Sequence, residues 1–157
     1  MRARMSTIIL TCLDSRVDPA HVMGIELGDA FVMRNAGGWV TPAVLREMAI
    51  LGVLGANLPG GGSGQLALAV IHHTDCGMAR LAEPTIQQQV AQRLGLSTDD
   101  VAAMAITDPT HTVRNEIEKL RSTPGTPDQL VVAGLVYNVA NGTITEVVPP
   151  APLRTND

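Results

Sequence analysis

Residues 66–77 read Leu66-Ala67-Leu68-Ala69-Val70-Ile71-His72-His73-Thr74-Asp75-Cys76-Gly77: six residues with no polar interruption, then imidazoles, a carboxylate and a thiol. A short unbroken apolar run closed by polar residues fits a strand covered on both faces, as in a parallel sheet. Ser6-Thr7-Ile8-Ile9-Leu10-Thr11 has the same character and ends on Cys12-Leu13-Asp14-Ser15-Arg16, and Ala30-Phe31-Val32-Met33 is a third such run. Val44, Leu45, Met48, Leu51 and Val53 recur at helical spacing, with Thr41 as N-cap and Pro42 at the first helical position, which predicts a helix over 41–56. Residues 85–94 and 112–121 also read as helices, and 129–137 and 143–148 as two strands across a turn at Asn141-Gly142. Strands alternating with helices predict an α/β fold with a mostly parallel sheet, and the final pair adds an antiparallel edge. Pro149 to Asp157 reads as a loose tail.

The 157 residues suit about one ordinary domain, and 45% hydrophobic against 17% charged residues argues against a disordered chain. Eleven Lys and Arg against fifteen Asp and Glu give a net charge of −4 with no basic block, so nucleic acid and anionic membrane surfaces are disfavoured partners. Phe31, Trp39 and Tyr137 are the aromatic residues, too few for a base-stacking platform. No run reaches the roughly 18 apolar residues of a membrane span, and no cleavage pattern follows the first residues, so the default compartment is the cytoplasm. Cys12 and Cys76 can pair as a disulfide, but a chain of this size needs no such staple. Pro59-Gly60-Gly61-Gly62-Ser63-Gly64 leads from a helix into a strand, the wrong context for a phosphate loop, and reads as a flexible connector.

In an open α/β sheet the carboxyl ends of neighbouring strands form the crevice where ligands bind. Cys12 would bring one thiolate there, and His73 and Cys76 an imidazole and a second thiolate from one turn. Zinc takes this mixture, and three protein ligands leave a fourth position for water or substrate. Buried Cys is also common as an inert small hydrophobe, and His-x-x-Cys alone is a weak signal. Cys12-x-Asp14-x-Arg16 beside it sharpens the reading, because Asp14 and Arg16, two apart on an extended segment, face one side and can form a charge-assisted pair at the rim. Alternation turns His72 away from His73, as a strand-end residue rather than a ligand.

Cys12-x-Asp14-Ser15-Arg16, Arg34-Asn35-Ala36-Gly37 and His73-Thr74-Asp75-Cys76-Gly77, in that order, resemble the β-class carbonic anhydrases. Gly134-Leu135-Val136-Tyr137-Asn138 and the turn at Asn141-Gly142 are similar to that family's C-terminal end, and the His72-His73 doublet resembles a small mycobacterial-type branch. The resemblance implies one domain over residues 1–157, built on four parallel strands with an added antiparallel edge strand and flanking helices. It implies Zn2+ on Cys12, His73 and Cys76, an Asp14–Arg16 catalytic dyad, and reversible hydration of carbon dioxide to bicarbonate by zinc-bound hydroxide. Asp14 would orient that hydroxide or, with the dyad open, take the fourth zinc position itself. Asn35, Gly37 and Gly38 would form a tight loop beside the site. Arg34 would bind bicarbonate or pair with a carboxylate, and Val17 and Met48 would supply apolar walls for substrate. His21 and His111 are candidate proton shuttles or plain surface residues. The assembly implied is a homodimer or tetramer, and because only eleven residues precede Cys12, either the chain is truncated or its dimer relies on sheet and helix contacts rather than an N-terminal arm. Carbonyl sulfide or carbon disulfide hydrolysis on the same zinc site stays open as an alternative, as does a non-catalytic zinc- or bicarbonate-binding module.

Overall fold

The computed structural model describes residues 7–57, 66–127 and 130–154. Its strands are β1 (Thr7–Cys12), β2 (Phe31–Asn35), β3 (Ala67–His73), β4 (Val131–Asn138) and β5 (Thr143–Pro152). The helices are α1 (Pro19–Met23), α2 (Pro42–Ala56), α3 (Pro84–Leu94), α4 (Thr98–Ala102) and α5 (Pro109–Ser122), with a 3-10 helix at Gly77–Ala82. One sheet runs in the order β2-β1-β3-β4-β5, parallel through β4, with β5 antiparallel at the edge.

Alternation along β1 explains why its sequence is apolar without a break. Ile8 and Leu10 pack on one face with Leu68, Val70 and Val132, under Val40, Val44 and Met48 and under Val113, Ile117 and Leu120 of α5. Ile9 packs on the other face with Ile71, Tyr137 and Val17, backed by Val22, Met23 and Ile25. Each such fully buried aliphatic side chain contributes about 1.5–3 kcal/mol of transfer free energy, so the sheet has no face that tolerates polar residues. Asp18 and Asp108 cap α1 and α5 through their carboxylates, each ahead of a proline at the first helical position. Gly134 lets α5 approach the sheet, since a Cβ there would lie 2.8 Å from Ile117 Cδ1.

Register then places the chemistry. Cys12 stands opposite Asn35, Thr11 opposite Ile71, and His73 opposite Tyr137, so the carboxyl ends of β1, β2 and β3 finish side by side.

The expected loose tail from Pro149 is a correction. β5 continues to Pro152, paired with Val131, and Leu153 is buried with its N–H on the Leu130 carbonyl at 2.8 Å. Arg154 donates to the carbonyls of Arg121, Thr123 and Thr126. Prolines fit there because β5 is an edge strand. The connector at Pro59 to Gly64 and residues 155–157 lie outside the described residues. Among the described residues no helix is long and apolar enough to cross a membrane.

Candidate metal centre

Cys12 is the last residue of β1 and His73 the last of β3, while Cys76 stands at the start of the 3-10 helix. Their ligand atoms lie within 4.8 Å of one another, and all three residues are buried. His73 Nδ1 donates to the Thr74 carbonyl at 3.0 Å, which fixes the tautomer and leaves the lone pair on Nε2. That Nε2 is buried without a hydrogen-bond partner among the described residues. A buried, unpartnered imidazole nitrogen grouped with two thiols fits a zinc ion.

The two thiols push each other's pKa in opposite directions. Cys12 is pulled down to about 3, first by the hydrogen bond from the Cys76 thiol, with His73 and the backbone N–H groups of Asp14 and Gly37 outweighing burial. The Gly37 N–H lies 3.3 Å from Cys12 Sγ. That same bond, together with burial, pushes Cys76 far above the usual thiol range. Burial pushes His73 down, but the neighbouring Cys12 sulfur outweighs it and its pKa is raised. A divalent cation entering here would displace thiol protons, which couples affinity to pH.

At the rim, Arg16 forks onto Asp14: Nε donates to Oδ1 at 3.0 Å, Nη2 to Oδ2 at 2.7 Å, and the Arg16 backbone N–H to Oδ1 at 2.9 Å. The guanidinium hydrogen bonds hold the Asp14 carboxyl well below the usual carboxylate range, so it is ionised and accepts only.

The loop after β2 closes over Cys12. Asn35 accepts from the Trp39 N–H and donates to the Trp39 carbonyl, both at 2.8 Å. Gly37 and Gly38 have φ of +92° and +74°, and a Cβ on Gly38 would lie 3.0 Å from the Thr11 carbonyl carbon. The Gly38 carbonyl accepts from His72 Nε2 at 3.3 Å. His72 is therefore a buried loop anchor, pushed down to about 4 by burial.

Arg34 Nε and Nη2 donate to the carbonyls of Cys12 and Asp14 at 3.0 and 2.8 Å, bracing the end of β1. Val17 and Met48 pack into the two hydrophobic cores rather than with Cys12 and Cys76. The apolar residues that do surround the two thiols are Ile106, Trp39 and Met78, which no spacing in the sequence marked. His21, on α1, and His111, bonded to Asn115 on α5, are exposed.

The family model described as carbonic anhydrase matches residues 7–144. A β-carbonic anhydrase 1 of Mycobacterium tuberculosis is 30% identical over 141 residues, spanning 90% of this chain and 81% of that protein. A carbon disulfide hydrolase of an Acidianus species is 26% identical over 155 residues, spanning 83% of this chain and 72% of that protein. The crystal structure of a carbonic anhydrase from Streptococcus mutans superposes with a TM-score of 0.74 at 34% identity, covering 93% of this chain and 83% of the other.

Proposed function

The chain belongs to the β-carbonic anhydrase family, and from that premise we propose that it catalyses the reversible hydration of carbon dioxide to bicarbonate and a proton, with zinc held by Cys12, His73 and Cys76. The observation that carries this reading is the buried Cys12–His73–Cys76 group, with its unpartnered imidazole nitrogen, next to a carboxylate locked by an arginine fork. When bound, zinc supplies a Lewis acid that makes water nucleophilic, more mildly with two thiolates than with three imidazoles because the thiolates neutralise its charge.

The chain's own residues do the rest. Asp14, ionised and acceptor-only, orients a hydroxylic nucleophile by taking its hydrogen bond, which turns the free lone pair toward carbon dioxide. Arg16 holds Asp14 in that role, and Arg34 holds the backbone that carries Cys12 and Asp14. The Gly37 N–H stabilises the Cys12 thiolate, and Ile106, Trp39 and Met78 keep water from the sulfurs. The two free thiols suit a reducing compartment, which supports a cytoplasmic location.

Its partner is a second copy of the chain. Ile50, Val53 and Leu54 of α2 are 46%, 65% and 54% exposed, and Val32 on edge strand β2 is 45% exposed. A helix apolar on its outer side as well as its inner one is built to be covered.

The Acidianus relative supports one other reading, hydrolysis of carbon disulfide or carbonyl sulfide on the same residues. Parallel assays of one zinc-loaded preparation with carbon dioxide, carbonyl sulfide and carbon disulfide separate the two. Fast hydration with little sulfide release supports the anhydrase, and the reverse order selects the hydrolase.

A further inference from the structure

Arg16 binds a second acidic residue as well. Its Nη1 donates to Asp75 Oδ2 at 2.7 Å and its Nη2 to the Asp75 backbone carbonyl at 2.9 Å, while Nε and Nη2 hold the two Asp14 oxygens. Two N–H groups serve each aspartate, so only one of the guanidinium's five is left over. Asp75 lies between Thr74, whose carbonyl fixes His73, and Cys76, and it has a φ of +54°, a left-handed conformation that aspartate tolerates better than most residues. In that conformation its carbonyl and its carboxylate both meet the same guanidinium. Arg16 therefore cross-braces the segment carrying Cys12 and Asp14 to the turn carrying His73 and Cys76.

We propose that Asp75 is a positioning residue for Asp14: by anchoring the far side of the Arg16 guanidinium it fixes the plane of the fork and keeps both Asp14 oxygens engaged. The catalytic consequence rests on the anhydrase reading; the geometric one does not. The Arg16 side chain is 46% exposed, and held by one carboxylate alone it is an exposed ion pair of the kind that contributes little. Losing the second anchor releases Arg16 toward solvent and frees Asp14 to swing to the metal position that water would otherwise take. The Asp75 carboxylate is itself 79% exposed, so what separates it from an ordinary surface pair is the added bond to its carbonyl and the backbone conformation that allows both.

Asp75→Gly isolates the carboxylate, because glycine keeps the positive φ and the carbonyl acceptor. Asp75→Asn keeps a neutral acceptor. The first readout is solvent exchange of the Arg16 Nε–H in nitrogen-15-labelled, metal-free protein. The second is the visible spectrum of cobalt(II)-loaded protein, alone and with Asp14→Asn, and the third is carbon dioxide hydration by zinc-loaded protein. For Asp75→Gly we expect Arg16 exchange about tenfold faster and kcat about five- to tenfold lower at unchanged metal content. The cobalt spectrum is expected to change with Asp14 present and to stay unchanged with Asp14→Asn. Asp75→Asn falls between. Parent-like exchange and cobalt spectra in Asp75→Gly, whatever happens to its melting temperature, overturn the proposal and make Asp75 a turn residue only. A parent that hydrates no carbon dioxide, with Arg16 exchange still accelerated in Asp75→Gly, upholds the positioning role and overturns the anhydrase reading instead.

Discussion

Gly38→Ala puts one methyl group where the loop over the site meets β1. Gly38 has a φ of +74°, and its Cβ would stand 3.0 Å from the Thr11 carbonyl carbon and 3.1 Å from the Cys12 nitrogen. Both are backbone atoms of β1, which is paired on either side by β2 and β3, so they cannot give way as the tip of a side chain would. Left-handed backbone costs alanine about 1–2 kcal/mol, against a gain of about 0.4–1 kcal/mol from a stiffer unfolded chain. Forcing the loop outward adds an overpacking cost of about 1–3 kcal/mol. The net expectation is a loss of about 2–3 kcal/mol, or roughly 5–10 °C in Tm for a chain of this size. The same displacement lifts the Gly37 N–H from Cys12 Sγ, where it lies at 3.3 Å, so zinc affinity should fall about tenfold or more. Urea unfolding of metal-free protein reads the first effect, and competition for zinc with a chelator reads the second. A variant with the parent's unfolding midpoint and zinc affinity would refute the claim that this backbone approach holds the ligand.

Glu116 is buried on α5, where it accepts the Val40 N–H, while Lys119 lies 3.9 Å away and donates to the Val40 carbonyl. Burial raises its pKa above the ordinary 4.5, so the folded chain keeps this proton to higher pH than the unfolded chain. Stability should therefore fall as pH rises from the ordinary carboxylate value through the folded pKa. Glu116→Gln, which keeps an acceptor for Val40, is expected to flatten that part of the curve in urea midpoints, whereas Glu116→Leu strands the N–H and costs about 1–3 kcal/mol. An equally steep curve in the Gln variant contradicts the assignment. Val53→Glu places a charge on the exposed face of α2 and is expected to give monomers in sedimentation equilibrium with unchanged circular dichroism. A dimer that survives it does not use α2.

How much was legible follows from what each residue answers to. β1 and β3 show in the sequence because burial on both faces leaves only apolar side chains such as Ile8, Ile9, Leu68 and Val70, and the abrupt change to polar residues after them marks the crevice. The group of Cys12, His73 and Cys76 was legible because chemistry fixes residue type and the strand ends fix position. Helices α1 and α4, of five residues each, are too short to show a period. Arg34 and Glu116 pair with backbone carbonyls and N–H groups, which every sequence offers everywhere, so no pattern announces them. Met48 was expected at the site as an apolar residue on the helix after it. It lies one turn from Val44, so both point into the core. The packed end of the chain was hidden because its prolines signal a tail on any strand except an edge.

The most direct test of the central claim is zinc content measured together with stopped-flow carbon dioxide hydration at alkaline pH, on the parent and on Cys76→Ala. The account expects about one zinc per chain and rapid hydration in the parent, activity lost on chelation and regained with zinc, and loss of both metal and activity in the variant. A fully zinc-loaded parent that hydrates carbon dioxide no faster than buffer, or a Cys76→Ala protein as active as the parent, would contradict it.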